Sequence, residues 1–131
     1  MKKLLLMSVL ASGLLFAEGA LKPDQMKTMQ TLEAAMATVQ KGFLYNNENV
    51  VEGGIKELKE NLKDVNSFVI ENEADKTFNA QAYAATEISA IIKLADEIEK
   101  AYKDGKKDEA LAAYSKTLSR CVVCHKVIRK W

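Results

Sequence analysis

Two cysteines and the only histidine of this 131-residue chain lie together near its C-terminus, as Cys121-Val122-Val123-Cys124-His125. On a helix, residues at i, i+3 and i+4 share one face. Two thiols one turn apart can add to the two vinyl groups on one porphyrin edge, and the next residue brings an imidazole under the iron. The spacing C-x-x-C-H therefore predicts covalently attached haem c, with Cys121 and Cys124 as thioether residues and His125 as the proximal iron ligand.

The first residues have the three-part layout of a secretory signal peptide. Met1-Lys2-Lys3 is basic, and residues 4–16 are apolar apart from two serines and a glycine. Ala17 would end the leader. Because the apolar run is short for a membrane span, an uncleaved anchor is the less favoured alternative. The sequence predicts a signal peptide at residues 1–17 and one periplasmic domain at residues 18–131.

Export makes a disulfide the first expectation for two cysteines, but their spacing and the adjacent histidine favour haem. A zinc site would need two more ligands, and the chain has no other Cys or His. A thioredoxin-like dithiol belongs in a βαβ context, which the sequence lacks. Each alternative is therefore weaker than covalent haem attachment.

The predicted mature protein is almost neutral. The chain has 19 Lys and Arg against 18 Asp and Glu, and removing the leader would take away two lysines and no acid. A mature protein so close to neutrality gives no case for nucleic acid or an anionic membrane as partner.

Apolar residues recur every three or four positions in four segments, which is typical of amphipathic helices. The segments run from 24 to about 46, from about 49 to 69, from about 80 to 103 and from about 107 nearly to 131. In the first segment these positions are Met29, Leu32, Met36, Val39 and Phe43, and in the second Val51, Ile55, Leu58, Leu62, Val65 and Val69. In the third they are Tyr83, Ile91, Leu94 and Ile98. In the fourth, one face is shared by Leu111, Tyr114, Leu118, Cys121, His125 and Ile128.

Some residues depart from this pattern. Gly53 and Gly54 weaken the first turns of the second segment, and Glu87 interrupts the third. The other charges of the second and third segments are interpreted as solvated helix faces. The polar residues 71–79 are interpreted as the longest connection between helices. Four helices without a strand signal predict an all-α, antiparallel up-down-up-down four-helix bundle.

An exported helical chain with one C-x-x-C-H near its C-terminus resembles the class II cytochromes c, the cytochrome c′ family. In that family's C-terminal motif an aromatic residue and an arginine follow the histidine by three and four positions. Arg129 matches, whereas Ile128 stands where the family has the aromatic residue. The resemblance implies a cytochrome c′-like bundle with haem between the helices, often as a homodimer. Arg129, one turn beyond His125, would lie near the haem edge or a propionate. The alternative is that Arg129 is a solvated charge favoured by the helix dipole.

The function depends on the group across the iron from His125. Most members of the family leave the iron open to small gases, and a subgroup uses a methionine from the first helix. In an antiparallel bundle Met26 and Met29 lie about 3–9 Å into the first helix, close to the level of His125, whereas Met36, about 20 Å in, is too deep.

Met29 is explained as core filler because it lies in the centre of the apolar stripe. Met26 lies to one side of it, and matching the register of the ligated subgroup places Met26 at the ligand position. We therefore favour Met26, with Met29 second and an open iron as the alternative. Lys22 resembles a basic residue that some members place near a propionate; a solvated lysine is the simpler interpretation.

The leading functional hypothesis is a one-electron carrier that exchanges electrons with periplasmic redox proteins and is not an enzyme. The second is a five-coordinate protein that binds or sequesters nitric oxide or carbon monoxide. A haem peroxidase is disfavoured because it needs a distal acid–base group, and the chain has no second histidine.

Overall fold

A computed structural model describes residues 22–68 and 77–129, and the predicted leader lies outside these ranges. They form four helices, α1 (Pro23–Leu44), α2 (Glu48–Val65), α3 (Ala80–Lys103) and α4 (Lys107–Arg129). The described residues contain no strand, so the predicted all-α class with four helices is confirmed. None of the helices in these ranges is both long and apolar enough to cross a membrane.

Local capping explains where the helices begin. Pro23 occupies the first turn of α1, where its missing N–H is not needed. The side-chain oxygen of Asn47 accepts a hydrogen bond from the Val50 backbone at 3.2 Å, and that of Asn79 from Ala82 at 2.9 Å. These asparagines satisfy amide groups that a helix start otherwise leaves without a partner.

The helix ends differ slightly from the prediction. α1 stops at Leu44 because Asn46 has a left-handed φ of 48°, and the buried Tyr102 hydroxyl lies 3.2 Å from its side-chain oxygen. α2 stops at Val65, and the predicted apolar position Val69 lies outside the described residues.

Three helix pairs pack closely in the described part of the chain: α1 with α2, α2 with α3, and α3 with α4. The α1–α2 contact depends on two glycines. A Cβ at Gly42 would lie 2.7 Å from the Val51 backbone nitrogen, and one at Gly54 would lie 2.8 Å from that of Val39. Any side chain at either position would force the two helix backbones apart.

Burial is uneven along α1 and α4. The buried residues of α1 lie in its second half: Ala35, Met36, Val39 and Gly42. Those of α4 lie in its first half: Ala110, Ala113 and Thr117. In contrast, α2 and α3 have buried residues along their whole length. The first half of α1 and the second half of α4 have only partly buried or exposed side chains.

The predicted apolar face of α4 is wrong in its first half. Leu111 and Leu118 are about half exposed, and the buried line runs instead through Ala110, Ala113 and Thr117. Small side chains allow α4 to approach the neighbouring backbones closely, which leaves the leucines at the edge of the contact.

Candidate haem site

The three residues of the C-x-x-C-H motif lie inside α4, in its less buried half. Cys121, Cys124 and His125 are each partly buried. Both cysteines are free thiols without a disulfide. The motif therefore lies on a helix, as its spacing requires, and both sulfurs remain available for thioether bonds.

Cys121 lies on the side of α4 that faces α1. It follows Tyr114 by seven residues, so the two side chains are about 20° apart around the helix. The Tyr114 hydroxyl donates to the Met36 carbonyl at 3.3 Å, and its ring meets Phe43 edge-on with centroids 5.6 Å apart. The thiol thus lies two turns beyond the point where α4 touches α1.

Cys124 lies on the side of α4 that faces α3. It follows Arg120 by four residues, and the Arg120 guanidinium donates to both carboxylate oxygens of Glu87, at 3.0 and 3.2 Å. Glu87 belongs to α3 and is only 6% exposed. Cys121 and Cys124 are about 60° apart around α4, so both thiols lie on the same side of the helix.

Glu87 and Arg120 are the site residues that the sequence did not reveal. Glu87 was predicted only as an interruption of an apolar stripe, yet it is buried and paired with the residue before Cys121. A carboxylate at an apolar helix position is the signal, because burying it requires a cation from a neighbouring helix.

Burial raises the pKa of both thiols and so favours their protonated form. It raises the pKa of Cys121 to about 11, with a further contribution from the neighbouring Cys124. Burial and then the Glu87 carboxylate raise the pKa of Cys124. Dithiol redox motifs need a lowered thiol pKa, so this environment argues against thioredoxin-like chemistry.

The surroundings of His125 favour the neutral form of its imidazole. Burial lowers the pKa of His125, and the Arg129 guanidinium one turn further along lowers it too. A neutral imidazole has the nitrogen lone pair that a metal ligand needs.

The two candidates for the sixth ligand, Met26 and Met29, have different surroundings. Met29 is partly buried and packs against the hydrophobic core, whereas Met26 is 48% exposed. This agrees with the interpretation of Met29 as a packing residue. Lys22 and Arg129 are both exposed, and Lys22 lies at the start of α1, where its carbonyl accepts from the Met26 amide at 2.9 Å.

The donor set fits haem better than a bare metal ion. Within the two described ranges, no three or more His, Cys, Asp and Glu side chains converge as a metal-binding cluster. Haem iron obtains four nitrogens from its own porphyrin and needs a single protein histidine on its proximal side.

Apolar side chains beside Cys121 are suited to contact a porphyrin. Leu118 and Val122, which flank Cys121, are 49% and 37% exposed. A flat apolar macrocycle is a suitable contact for such a surface.

Comparisons of the chain with protein-family models, with curated proteins and with solved structures found no match.

Proposed function

We propose that this protein is an exported monohaem c-type cytochrome that acts as a one-electron carrier. The observation that carries the proposal is the half-buried face of α4, on which two free thiols and an imidazole have C-x-x-C-H spacing. Cys121 and Cys124 would hold the haem through thioether bonds, and His125 would ligate the iron.

When bound, haem supplies reversible one-electron chemistry at its iron. The chain's own residues do the rest. The helix fixes the direction of His125, and the apolar side chains of α1 and α4 keep water away from the porphyrin faces. Arg129 and Lys22 provide positive charge for the propionates or the haem edge.

We further propose that the fold is an up-down-up-down bundle of the cytochrome c′ kind. Two ion pairs support antiparallel α2 and α3, since Glu52 pairs with Lys103 and, further along α2, Lys59 pairs with Asp96. The Tyr114 contact with the second half of α1 supports antiparallel α1 and α4. In this arrangement the first turns of α1 lie beside the motif.

For the sixth ligand we propose Met26, with Met29 as second choice. The support is that Met29 already packs in the core, whereas the Met26 side chain is not committed to it. A thioether ligand would close the iron to exogenous gases and suit it to electron transfer.

The signal-peptide pattern of residues 1–17 supports a periplasmic location, where redox proteins would be the partners. The family resemblance supports a homodimer.

The test is to express the full chain in a bacterium with the machinery for periplasmic haem attachment, and to measure intact mass and optical spectra. We expect the leader to be removed and one haem to be bound covalently. C121A and C124A should each lose one thioether bond, and the double variant should lose covalent haem. A wild-type protein that matures without covalent haem would refute the proposal.

Binding of carbon monoxide distinguishes the proposed electron carrier from the alternative, a five-coordinate gas-binding protein. We expect low-spin spectra with a sulfur–iron charge-transfer band in the oxidised state and no carbon monoxide shift on reduction. A high-spin protein that binds carbon monoxide readily would instead support the gas-binding function and contradict electron transfer through a six-coordinate iron.

A further inference from the structure

We propose that Glu87 and Arg120 form a positioning pair that fastens the Cys121–His125 turn to α3 and fixes a negative charge beside the haem. This inference rests on the proposed cytochrome function, and it assigns to two residues a role in setting the reduction potential.

Burial distinguishes Glu87 from the other charged residues that the structure describes. Only two polar or charged residues are buried in the described part of the chain, Glu87 and Thr117. The Thr117 hydroxyl donates to the Ala113 carbonyl of its own helix at 2.9 Å, so Thr117 needs no partner elsewhere. Glu87 is therefore the one buried charge of the described residues, and both of its oxygens accept hydrogen bonds from Arg120.

Arg120 lies just beyond the buried part of α4. Thr117 is the last fully buried residue of α4 in the described ranges, and Arg120 follows it by about one turn. Beyond Thr117, apolar burial holds α4 less firmly against its neighbours. The ion pair thus joins α4 to α3 immediately before the thioether residues, where it can set the orientation of the motif.

The charge of Glu87 also lies close to the motif, because its carboxylate accepts hydrogen bonds at 3.0 and 3.2 Å from Arg120, the residue immediately before Cys121. Loss of an electron adds one positive charge at the haem, and a nearby carboxylate stabilises that charge. The Arg120 side chain is 49% exposed and that of Glu87 only 8%, so solvent screens the cation more than the buried anion.

The experiment compares reduction potentials of the haem-loaded protein at pH 8, well above the ordinary pKa of a carboxylic acid. E87Q keeps the size of the side chain and removes its charge. We expect the reduction equilibrium constant to rise about tenfold, which is about 59 mV for a one-electron couple. E87Q/R120Q, which removes both charges, should give a reduction equilibrium constant between those of the wild type and E87Q, because the exposed cation offsets only part of the effect of the buried anion. R120K should preserve the wild-type potential.

D96N is the matched control. It makes the same change of charge on the same helix, at the exposed Lys59–Asp96 pair, about 13 Å further along α3. We expect D96N to change the reduction equilibrium constant by less than about twofold, because distance and solvent weaken the effect of this charge on the haem. A shift in E87Q no larger than that in D96N would overturn the inference.

R120Q keeps the test decisive if E87Q does not accumulate. It leaves the carboxylate without its countercharge, so the reduction equilibrium constant should fall, and E87Q/R120Q should reverse the fall. Equal potentials in these two variants would also overturn the inference. Absence of covalent haem from the wild type refutes the cytochrome itself, whereas haem with an unmoved potential refutes only the role of Glu87 and Arg120.

Discussion

Gly54 of α2 lies against Val39 of α1 so closely that a Cβ at position 54 would be 2.7 Å from a Val39 methyl group and 2.8 Å from its backbone nitrogen. Gly53, one residue earlier, has no atom within 4 Å of its Cβ position. The two neighbouring glycines therefore have opposite roles in one helix. Gly53 only lowers the helix propensity of α2, whereas Gly54 is required by the close packing of α2 on α1.

This difference predicts opposite effects of the same substitution. G54A should destabilise the protein by about 1–3 kcal/mol, because backbone atoms of α1 have to move. G53A should stabilise it by about 0.5–1 kcal/mol, because alanine has the better helix propensity and meets nothing. Urea unfolding of both variants checks this, and equal effects would contradict the close α1–α2 contact.

Tyr114 joins α4 to α1 through its hydroxyl, which donates to the Met36 carbonyl at 3.3 Å. Y114F keeps the ring contact with Phe43 and removes the hydrogen bond, so it should cost about 1 kcal/mol of unfolding free energy. Y45F is the control, since Tyr45 is 72% exposed, and it should stay within about 0.5 kcal/mol of the wild type. Indistinguishable melting curves for the two variants would contradict this contact.

Alkaline pH should destabilise the haem-free protein through Cys121. Burial raises the pKa of Cys121 from 9.0 to about 11. The folded state therefore holds the thiol proton more tightly than the unfolded state. The contribution of Cys121 to the free energy of unfolding is complete below pH 9 and is lost as pH rises through 11. At 1.36 kcal/mol per pKa unit the loss is about 2–3 kcal/mol.

C121S isolates this effect, because serine does not titrate in that range while every lysine and tyrosine is retained. Urea unfolding at pH 7, 9 and 11 should show a steeper loss of stability in the wild type than in C121S. Parallel pH dependences would show that Cys121 is not buried as described.

Substitution of the two methionines separately should assign the sixth ligand. M26A should convert the haem-loaded protein to a high-spin form that binds carbon monoxide, because Met26 would supply the sulfur. M29A should keep the low-spin spectrum and lower stability by about 1–3 kcal/mol, since Met29 packs against the core. Loss of the low-spin spectrum in M29A alone would move the assignment to Met29.

The sequence by itself determined the features that depend on near neighbours along the chain. Helix α3 runs over residues 80–103 as its periodicity predicts, and the apolar positions of α2 from Val51 to Val65 are buried. Spacing of three and four residues fixes a helix face, and the same geometry places Cys121, Cys124 and His125 together.

The tertiary structure decided the features that depend on which helices become neighbours. Glu87 and Arg120 are 33 residues apart and pair only because α3 packs on α4. Gly54 shows its role only against Val39, and Leu118 is exposed because α4 turns its smaller side chains inward. Periodicity defines the apolar side of each helix, but the rotation of a helix and the partner of a buried charge are set by close packing between segments distant in sequence.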